Sequence, residues 1–371
     1  MLYRAIGLMS GSSLDGLDIV FSEFNENAGK WTYEIVAADC YDYSEEWKKK
    51  LRDATTLTAL DYQLLHTEYG HYLGEQVNRF IEENHLHYKV GLIASHGHTT
   101  FHRPARKMTA QLGDGAAIAA ETRLPVVSDL RALDIAFGGQ GAPIVPVGEK
   151  LLLREYSMFL NIGGIANISC SLPDKYIAFD ICPANRVLNI IANKAGKEYD
   201  AGGAMAATGN VHDELLEKLN ALEYYSQPFP KSLANDFGTD VIFPMIESYK
   251  LSHADALRTY VEHVASQTEL AISNLQFTRS SSQQQPIATG QLLITGGGAF
   301  NGFMVERLSE RLKSLSIEVV VPDENLVMYK EALIMALIGV LRWRQEYNVL
   351  SSVTGADRNS IGGALWIGQD A

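Results

Sequence analysis

The chain has 371 residues, more than a single compact core usually holds, so two domains are expected. Its residues are 46% hydrophobic and 20% charged, a composition typical of a globular protein. The formal net charge of −13 argues against nucleic acid and anionic membrane surfaces as partners, although a local pocket of backbone amides still suits an anionic small molecule.

The first half predicts three strands followed by alternating helices and strands. Apolar runs on both sides of a Gly/Ser-rich turn predict a hairpin, and a β-branched and aromatic run predicts the third strand. The apolar period then becomes helical, with Thr58 and Asp61 as caps near the start of a second helix. The predicted strands are 2–9, 17–24, 33–40, 90–95 and 126–128, and the predicted helices lie within 44–85 and at 116–122.

The pattern restarts after a glycine-rich break at 138–143. The run 158–169 again predicts strand, Gly turn and strand. The other predicted strands are 176–180, 292–295 and 317–321, and the predicted helices are 186–195, 212–221, 255–276, one that ends at 315, and 330–346. This repetition predicts an α/β fold of two duplicated domains with a cleft between them, the first 1–134 with about 350–371 and the second 135–349.

The three cysteines, Cys40, Cys170 and Cys182, are widely spaced and include no C-x-x-C pair. They indicate a reducing compartment, with neither a disulfide framework nor a metal site. The N-terminus enters a strand pattern without a signal peptide, and the apolar stretch 332–341 is too short to span a bilayer. We therefore expect a cytoplasmic protein with no membrane partner.

Three glycine-rich strand ends favour nucleotide binding. The first turn offers backbone N–H groups and small hydroxyls to phosphate oxygens, although such a turn in isolation is more often an ordinary hairpin turn. A second hairpin would face the same phosphates, and a triple glycine would let an adenosine lie against bare backbone. No Walker motif occurs and no G-x-G-x-x-G follows a strand. The candidate nucleotide-binding residues are Gly11, Ser12, Ser13, Asp15, Gly16, Asp18, Asn161, Gly163, Gly164, Gly296, Gly297 and Gly298.

The chain resembles the anhydro-N-acetylmuramic acid kinases, within the superfamily of sugar kinases, heat-shock ATPases and actin. The resemblance implies duplicated actin-like ATPase domains of the ribonuclease H-like type with a central nucleotide cleft, ATP with Mg²⁺, a role in cell-wall recycling and a homodimer. It rests on collinear blocks at 7–18, 95–99, 102–104, 111–114, 129–131, 138–143, 161–167, 199–203, 296–301 and 352–356.

In that family the substrate is a sugar whose C1 and C6 are bridged by an ether oxygen. The resemblance implies that water opens the bridge at C1 while the freed O6 takes the γ-phosphoryl group of ATP. Because O6 carries no proton in the bridge, a base must act on the water, as in an inverting glycosidase. By resemblance the base is Asp180, just after a strand, and the substrate-binding residues are His98, Arg131, Asn185 and Glu331.

Each of these assignments has a structural alternative. Asp180 would only form a turn, and Glu331 would be a solvated glutamate in the first turn of the last long helix. His98, at a strand end, would be a structural hydrogen-bonding residue, and Arg131 an exposed ion-pair partner. Cys182 beside Asp180 is more consistent with a packed thiol than with a nucleophile.

Two segments depart from the family pattern. At 180–185 the chain has Asp-Ile-Cys-Pro-Ala-Asn, where the family has Asp-Thr-Gly-Pro-Gly-Asn. At 230–236 it has Pro-Lys-Ser-Leu-Ala-Asn-Asp, where the family has Pro-Lys-Ser-Thr-Gly-Arg-Glu. These departures leave open a kinase for another sugar and a non-catalytic ATP-binding regulatory protein. ATP turnover with and without the anhydro-sugar distinguishes the three hypotheses.

Overall fold

In a computed structural model of the chain, the described residues are 1–11, 13–172, 175–229, 231–234, 236–280 and 290–369. They divide into two compact units, one made of Met1–Arg154 with Tyr329–Ala371 and the other of Glu155–Met328. Within the described residues, no helix is long and apolar enough to cross a membrane.

The first unit begins with a three-stranded antiparallel meander and continues with helices and further strands. Its elements up to residue 154 are β1 Leu2–Ser10, β2 Gly16–Asn27, β3 Lys30–Asp42, α1 Glu45–Asp53, α2 Ala59–Glu83, β4 Leu92–Arg103, β5 Met108–Leu112, α3 Gly115–Thr122, β6 Val126–Ser128, α4 Ala132–Ala136 and α5 Pro146–Leu152. The Thr58 side chain accepts from the Asp61 N–H at the start of α2, which confirms Thr58 as its N-cap.

The second unit has the same succession of a meander, helices and two later strands. Its elements are β7 Met158–Ile162, β8 Ile165–Ser171, β9 Tyr176–Pro183, α6 Asn185–Lys194, α7 Ala204–Thr208, α8 Asp213–Asn220, α9 Glu223–Ser226, α10 Phe243–Ser248, α11 His253–Ser280, β10 Gly290–Thr295, α12 Gly302–Leu312 and β11 Ile317–Val320. The chain ends with α13 Glu324–Trp343, α14 Ser351–Thr354 and β12 Ala364–Trp366.

The two sheets repeat one topology. Among the described residues, the seven-stranded sheet of the first unit has the order β12-β6-β4-β1-β2-β3, with β5 paired to β4, and the five-stranded sheet of the second has the order β11-β10-β7-β8-β9. In each, the first three strands are antiparallel, and two later strands extend the sheet in parallel from the first strand, β4 and then β6 in the first unit and β10 and then β11 in the second. This repeated order and sense confirm the predicted α/β fold of two duplicated, actin-like units. The predicted nucleotide cleft stays a prediction.

The structure adds elements that the sequence pattern did not indicate. The predicted strand 90–95 is the beginning of β4, which starts at Leu92, continues to Arg103 and pairs antiparallel with β5. The boundaries between the two units, after Arg154 and after Met328, also differ from the predicted domain boundaries. The helix α5 belongs to the first unit, where Gly148 lies against Ile334 of α13.

Glycine allows α13 to lie directly on the sheet of the first unit. A Cβ at Gly7 of β1 would overlap the Ala332 carbonyl oxygen, and a Cβ at Gly339 would come within 2.6 Å of the Ala94 Cβ. Both contacts involve backbone or a fixed methyl group, so neither can be relieved by a side-chain rotation. Any side chain at Gly7 must therefore displace the helix.

We predict that Gly7→Ala lowers the free energy of unfolding by about 3 kcal/mol, because it overpacks the contact between β1 and α13. Urea unfolding followed by circular dichroism measures the loss. Gly302→Ala is the matched control, since its Cβ would meet nothing closer than 3.9 Å. Equal stability of the two variants would contradict the close packing described here.

Candidate active site

The turn between β1 and β2 carries the first group of candidate nucleotide-binding residues. The Leu14 N–H donates to the Gly11 carbonyl at 3.4 Å, and Leu14 has a φ of 61°, so the backbone turns tightly here. Ser13 and Asp15 are exposed at this turn, whereas Ser12 lies outside the described residues. The turn thus presents small polar groups to solvent.

Asp18 follows on β2, in register with Cys40 of β3. Burial raises the pKa of Asp18 to about 6, a hydrogen bond with the Cys40 side chain lowers it, and the charges of Glu331 and Asp15 raise it. The strands β2 and β3 approach each other closely beside Asp18. A Cβ at Gly16 would lie only 2.6 Å from the Cys40 Sγ. The charges of two other carboxyl groups therefore add to the effect of burial on Asp18.

Glu331 lies within α13 and not in its first turn, because that helix begins at Glu324. The interpretation of Glu331 as a solvated first-turn glutamate is therefore wrong. Burial raises the pKa of Glu331, the charges of Lys330 and Arg131 lower it, and the charge of Glu149 raises it. Lys330 and Glu149 themselves form a buried ion pair at 2.9 Å.

Arg131 is held between a histidine and a glycine-loop carbonyl. Its Nε donates to the His96 Nε2 at 2.8 Å, and its Nη1 donates to the Gly141 carbonyl at 2.6 Å. The His96 Nδ1–H donates to the Gly97 carbonyl at 2.9 Å, so Nε2 is the accepting nitrogen of a neutral ring. Burial, and then the Arg131 charge, lowers the pKa of His96 to about 3. The interpretation of Arg131 as an exposed ion-pair partner is therefore wrong.

His98 is the end of a buried chain of hydroxyl groups. The prediction that His98 lies at a strand end is wrong, because β4 continues past it. The Tyr43 hydroxyl donates to the Ser10 Oγ at 2.8 Å, and the Tyr43 and Tyr69 hydroxyls are 2.6 Å apart. The Ser10 Oγ lies 3.0 Å from the His98 Nδ1, and a Ser10 hydroxyl that donates to this nitrogen continues the chain. This chain leaves the ring proton on Nε2, and burial lowers the His98 pKa to about 4.

In the second unit, the glycine hairpin between β7 and β8 is bound to the start of α6. The Gly163 carbonyl accepts from the Asn185 N–H at 3.0 Å, and the Gly164 carbonyl accepts from the Ala184 N–H at 2.8 Å. The Asn185 Nδ2 donates to the Ile162 carbonyl at 3.0 Å. Asn185 therefore anchors the hairpin on which two of the candidate phosphate-binding glycines lie.

The triple glycine after β10 packs against the same hairpin. Gly296 has a φ of 80°, and a Cβ there would lie 2.6 Å from the Asn161 Oδ1. A Cβ at Gly298 would overlap the Ile162 Cγ2, whereas Gly297 leaves room for an ordinary contact. The structure thus brings together the candidate residues of the second and third glycine turns within one unit.

Asp180 lies inside β9 at an irregularity of the sheet. The ladder pairs Ala166 with Cys182 but Asn167 with Asp180, so Ile181 is an extra residue in β9. The interpretation of Asp180 as a turn residue is therefore wrong. The bulge also breaks the alternation of side chains between the two faces of the sheet, and such bulges re-aim side chains at functional sites.

A backbone N–H binds the side chain of Asp180, and a tyrosine hydroxyl binds its backbone. The Leu233 N–H donates to its Oδ2 at 2.8 Å, and the Tyr224 hydroxyl donates to its carbonyl at 2.7 Å. Burial raises the pKa of Asp180, and hydrogen bonds from the Leu233 N–H and the Ser232 side chain lower it. The carboxyl group is half-buried, an environment in which a base is partly desolvated and still orientated.

The residues that depart from the family pattern beside Asp180 are core residues. Ile181 is 2% exposed, and Cys182 and Ala184 are fully buried in the hydrophobic core of the second unit. Burial raises the pKa of the Cys182 thiol, which confirms it as a packed thiol and not a nucleophile. Leu233 packs against the same core, while Pro230 and Asn235 lie outside the described residues.

Sequence reasoning missed the residues that support the site. Ser10 directly follows the predicted strand 2–9, but a serine at a strand end has no distinguishing pattern. Tyr43 and Tyr224 are distant in sequence from the residues that they bind, so only the fold brings them there. Leu233 acts through its backbone N–H, which no side-chain pattern reveals.

The comparisons with protein families and with related sequences agree on one family. A family model described as anhydro-N-acetylmuramic acid kinase matches residues 3–368. A protein of that name from Photobacterium profundum is 33% identical over 388 residues, covering 98% of each chain. Another from Clostridioides difficile is 31% identical over 382 residues, covering 97% of each. A solved ROK family glucokinase from Streptomyces griseus aligns with 91% of this chain and 99% of its own at 11% identity and a TM-score of 0.40.

We predict that the His98 ring stays neutral, with its proton on Nε2, from about pH 5.5 to 8, because burial and the Ser10 hydroxyl oppose protonation of Nδ1. Imidazole ¹⁵N NMR measures both properties. Tyr43→Phe removes the donor to Ser10 and is expected to lower the free energy of unfolding by about 1–2 kcal/mol and to mix the tautomers. Tyr88→Phe is the control, since Tyr88 is fully exposed. A His98 ring that titrates near pH 6.5 would contradict the chain of hydroxyls.

Proposed function

The chain belongs to the anhydro-N-acetylmuramic acid kinase family, and on that premise we propose that it opens the 1,6-anhydro ring of anhydro-N-acetylmuramic acid with water and phosphorylates O6 with ATP. The product is N-acetylmuramic acid 6-phosphate, and the reaction belongs to the recycling of cell-wall sugars. The observation that carries the proposal is the half-buried Asp180 carboxylate, orientated by a backbone N–H at a strand bulge.

The chemistry requires a base that acts on water. Water attacks C1, the C1–O6 bond breaks, and O6 takes the γ-phosphoryl group while ADP leaves. The proton of the attacking water passes to Asp180, because the bridging O6 has no proton to give. Attack on the face opposite the leaving oxygen is the inverting geometry of glycoside hydrolysis.

Asp180 has the properties of such a base. Its carboxylate accepts from Leu233, which favours the ionised form, while burial weakens its hydration and makes it more basic. The carboxyl group is thus partly desolvated, while the hydrogen bond from Leu233 stabilises its ionised form. A fully solvated carboxylate would be a weaker base for water.

We assign sugar binding to Arg131, Glu331, His98 and Asn185 on the strength of the family resemblance. Arg131 has five N–H donors, and the contacts to His96 and Gly141 use two of them. The other three suit the carboxylate of the lactyl group that the sugar carries. The His98 Nε2–H is a neutral donor for a sugar oxygen. Glu331 is an acceptor for a sugar hydroxyl. Asn185 binds the sugar in addition to its contact with the hairpin between β7 and β8.

We propose that ATP is bound through the three glycine turns, with Mg²⁺ on its phosphates. Close backbone approach supports this assignment, because side chains at Gly296 and Gly298 would collide with the neighbouring hairpin. Phosphoryl transfer then depends on positioning and on neutralisation of the phosphate charge. Within the described residues, no group of three His, Cys, Asp or Glu side chains is arranged to hold a metal ion.

A kinase for another sugar and a non-catalytic ATP-binding protein remain the alternatives. Both are motivated by the altered residues after Asp180, and these residues fill the core behind the carboxylate. The three cysteines form no disulfide, which supports a cytoplasmic location. We also propose a homodimer, on the family resemblance.

We predict that the native protein releases ADP in the presence of 1,6-anhydro-N-acetylmuramic acid and that Asp180→Asn lowers this rate by at least about 100-fold, because the amide cannot accept the proton of water. A coupled ADP assay measures the rate, and ATP binding is expected to be retained. Asp213→Asn, at an exposed carboxylate in the first turn of α8, is the matched control.

The alternatives give other outcomes in the same assay. ADP release with N-acetylmuramic acid or N-acetylglucosamine but not with the anhydro-sugar would indicate a kinase for a free hydroxyl. ATP binding without any sugar-dependent ADP release would indicate a regulatory protein. Full activity of Asp180→Asn would contradict the assignment of the base.

A further inference from the structure

The segment 231–234 lies beside Asp180 without being part of a helix or strand. It belongs to one of the two stretches that depart from the family pattern, and nothing in its sequence indicates a role. Its backbone nevertheless meets Asp180 twice. The Asp180 N–H donates to the Lys231 carbonyl at 3.1 Å, and the Leu233 N–H donates to the Asp180 Oδ2 at 2.8 Å.

Lys231 holds the segment in place through its side chain. The ammonium group donates to the Tyr224 carbonyl at 3.0 Å and to the Tyr225 carbonyl at 3.3 Å, and it lies 4.5 Å from the centre of the Tyr224 ring. The Tyr224 hydroxyl in turn donates to the Asp180 carbonyl. The contacts therefore form a closed circuit from Asp180 through Lys231 and Tyr224 back to Asp180.

We propose that Leu233 is the positioning residue of the Asp180 carboxylate, which the circuit of Lys231 and Tyr224 holds in one orientation through the Leu233 N–H. This inference rests on the proposed function, because it assigns Asp180 as the base. Leu233 needs no polar side chain for the task, so a leucine at this position is compatible with catalysis.

The direction of the effect follows from the hydrogen bonds. Donors to a carboxylate stabilise its charged form, so they oppose the effect of burial and lower the pKa of Asp180. Removing a donor must raise that pKa. The rate depends on the ionised base and increases with pH through its pKa, so the acidic limb of the pH–rate profile must move to higher pH.

The test compares Leu233→Pro, which lacks the N–H, with Leu233→Ala, which keeps it. Lys231→Met removes the ammonium contacts that hold the segment, and Lys197→Met is its control, since the Lys197 side chain is exposed. The pH dependence of kcat/KM for the anhydro-sugar is measured for each. The carboxyl ¹³C signal of Asp180, identified by its loss in Asp180→Asn, is titrated in the same proteins.

We expect the fall in kcat/KM between pH 8 and pH 5 to be larger in Leu233→Pro and in Lys231→Met than in their controls, by about threefold or more. The Asp180 carboxyl signal should titrate at higher pH in the same two variants. A structural disturbance alone would lower the rate equally at all pH values. If Leu233→Pro does not fold, Lys231→Met and its control still decide the question.

Each result has a definite meaning. Unmoved acidic limbs and unmoved carboxyl titrations in folded variants would overturn the positioning role. If the native protein shows no sugar-dependent ADP release, the proposed function fails, and the carboxyl titrations alone decide the positioning role. A shifted titration would then support it, and an unshifted one would overturn it.

Discussion

The extra residue in β9 determines the environment of the Asp180 carboxylate. In a regular strand, Asp180 and Cys182 would share one face of the sheet, and Ile181 would point the other way. The bulge instead places the consecutive side chains of Ile181 and Cys182 in the core of the second unit, while Asp180 stays half-buried on the other side. The core therefore anchors the strand directly behind the base.

Glycine has two different functions in the two units. Gly7 and Gly339 let α13 pack on the sheet of the first unit, a purely structural need. Gly296 and Gly298 let the turn after β10 approach the hairpin of β7 and β8, and the same bare backbone is what a nucleotide needs. Because both units have the same strand order, their hairpins occupy equivalent positions in the two sheets.

Much of the fold was predictable because hydrophobic period and glycine turns are local signals. The two meanders, α2, α11 and β10 follow directly from such patterns. Edge elements such as β5 and β12 were not predictable, since they are short and acquire their structure from a neighbouring strand. At the site, Asp180 and Arg131 were found by resemblance to a motif, whereas the backbone donor at Leu233 and the hydroxyls of Tyr43 and Tyr224 depend on contacts between residues distant in sequence.

The most direct test of the account is the fate of water oxygen. The native protein is allowed to react with ATP and the anhydro-sugar in ¹⁸O-labelled water, and the product is analysed before its C1 hydroxyl exchanges with solvent. The account predicts one labelled oxygen at C1 and none in the phosphate group, because water attacks carbon and O6 attacks phosphorus. An unlabelled product that still contains the anhydro bridge, or label in phosphate, would contradict the role of Asp180 as the base that activates water.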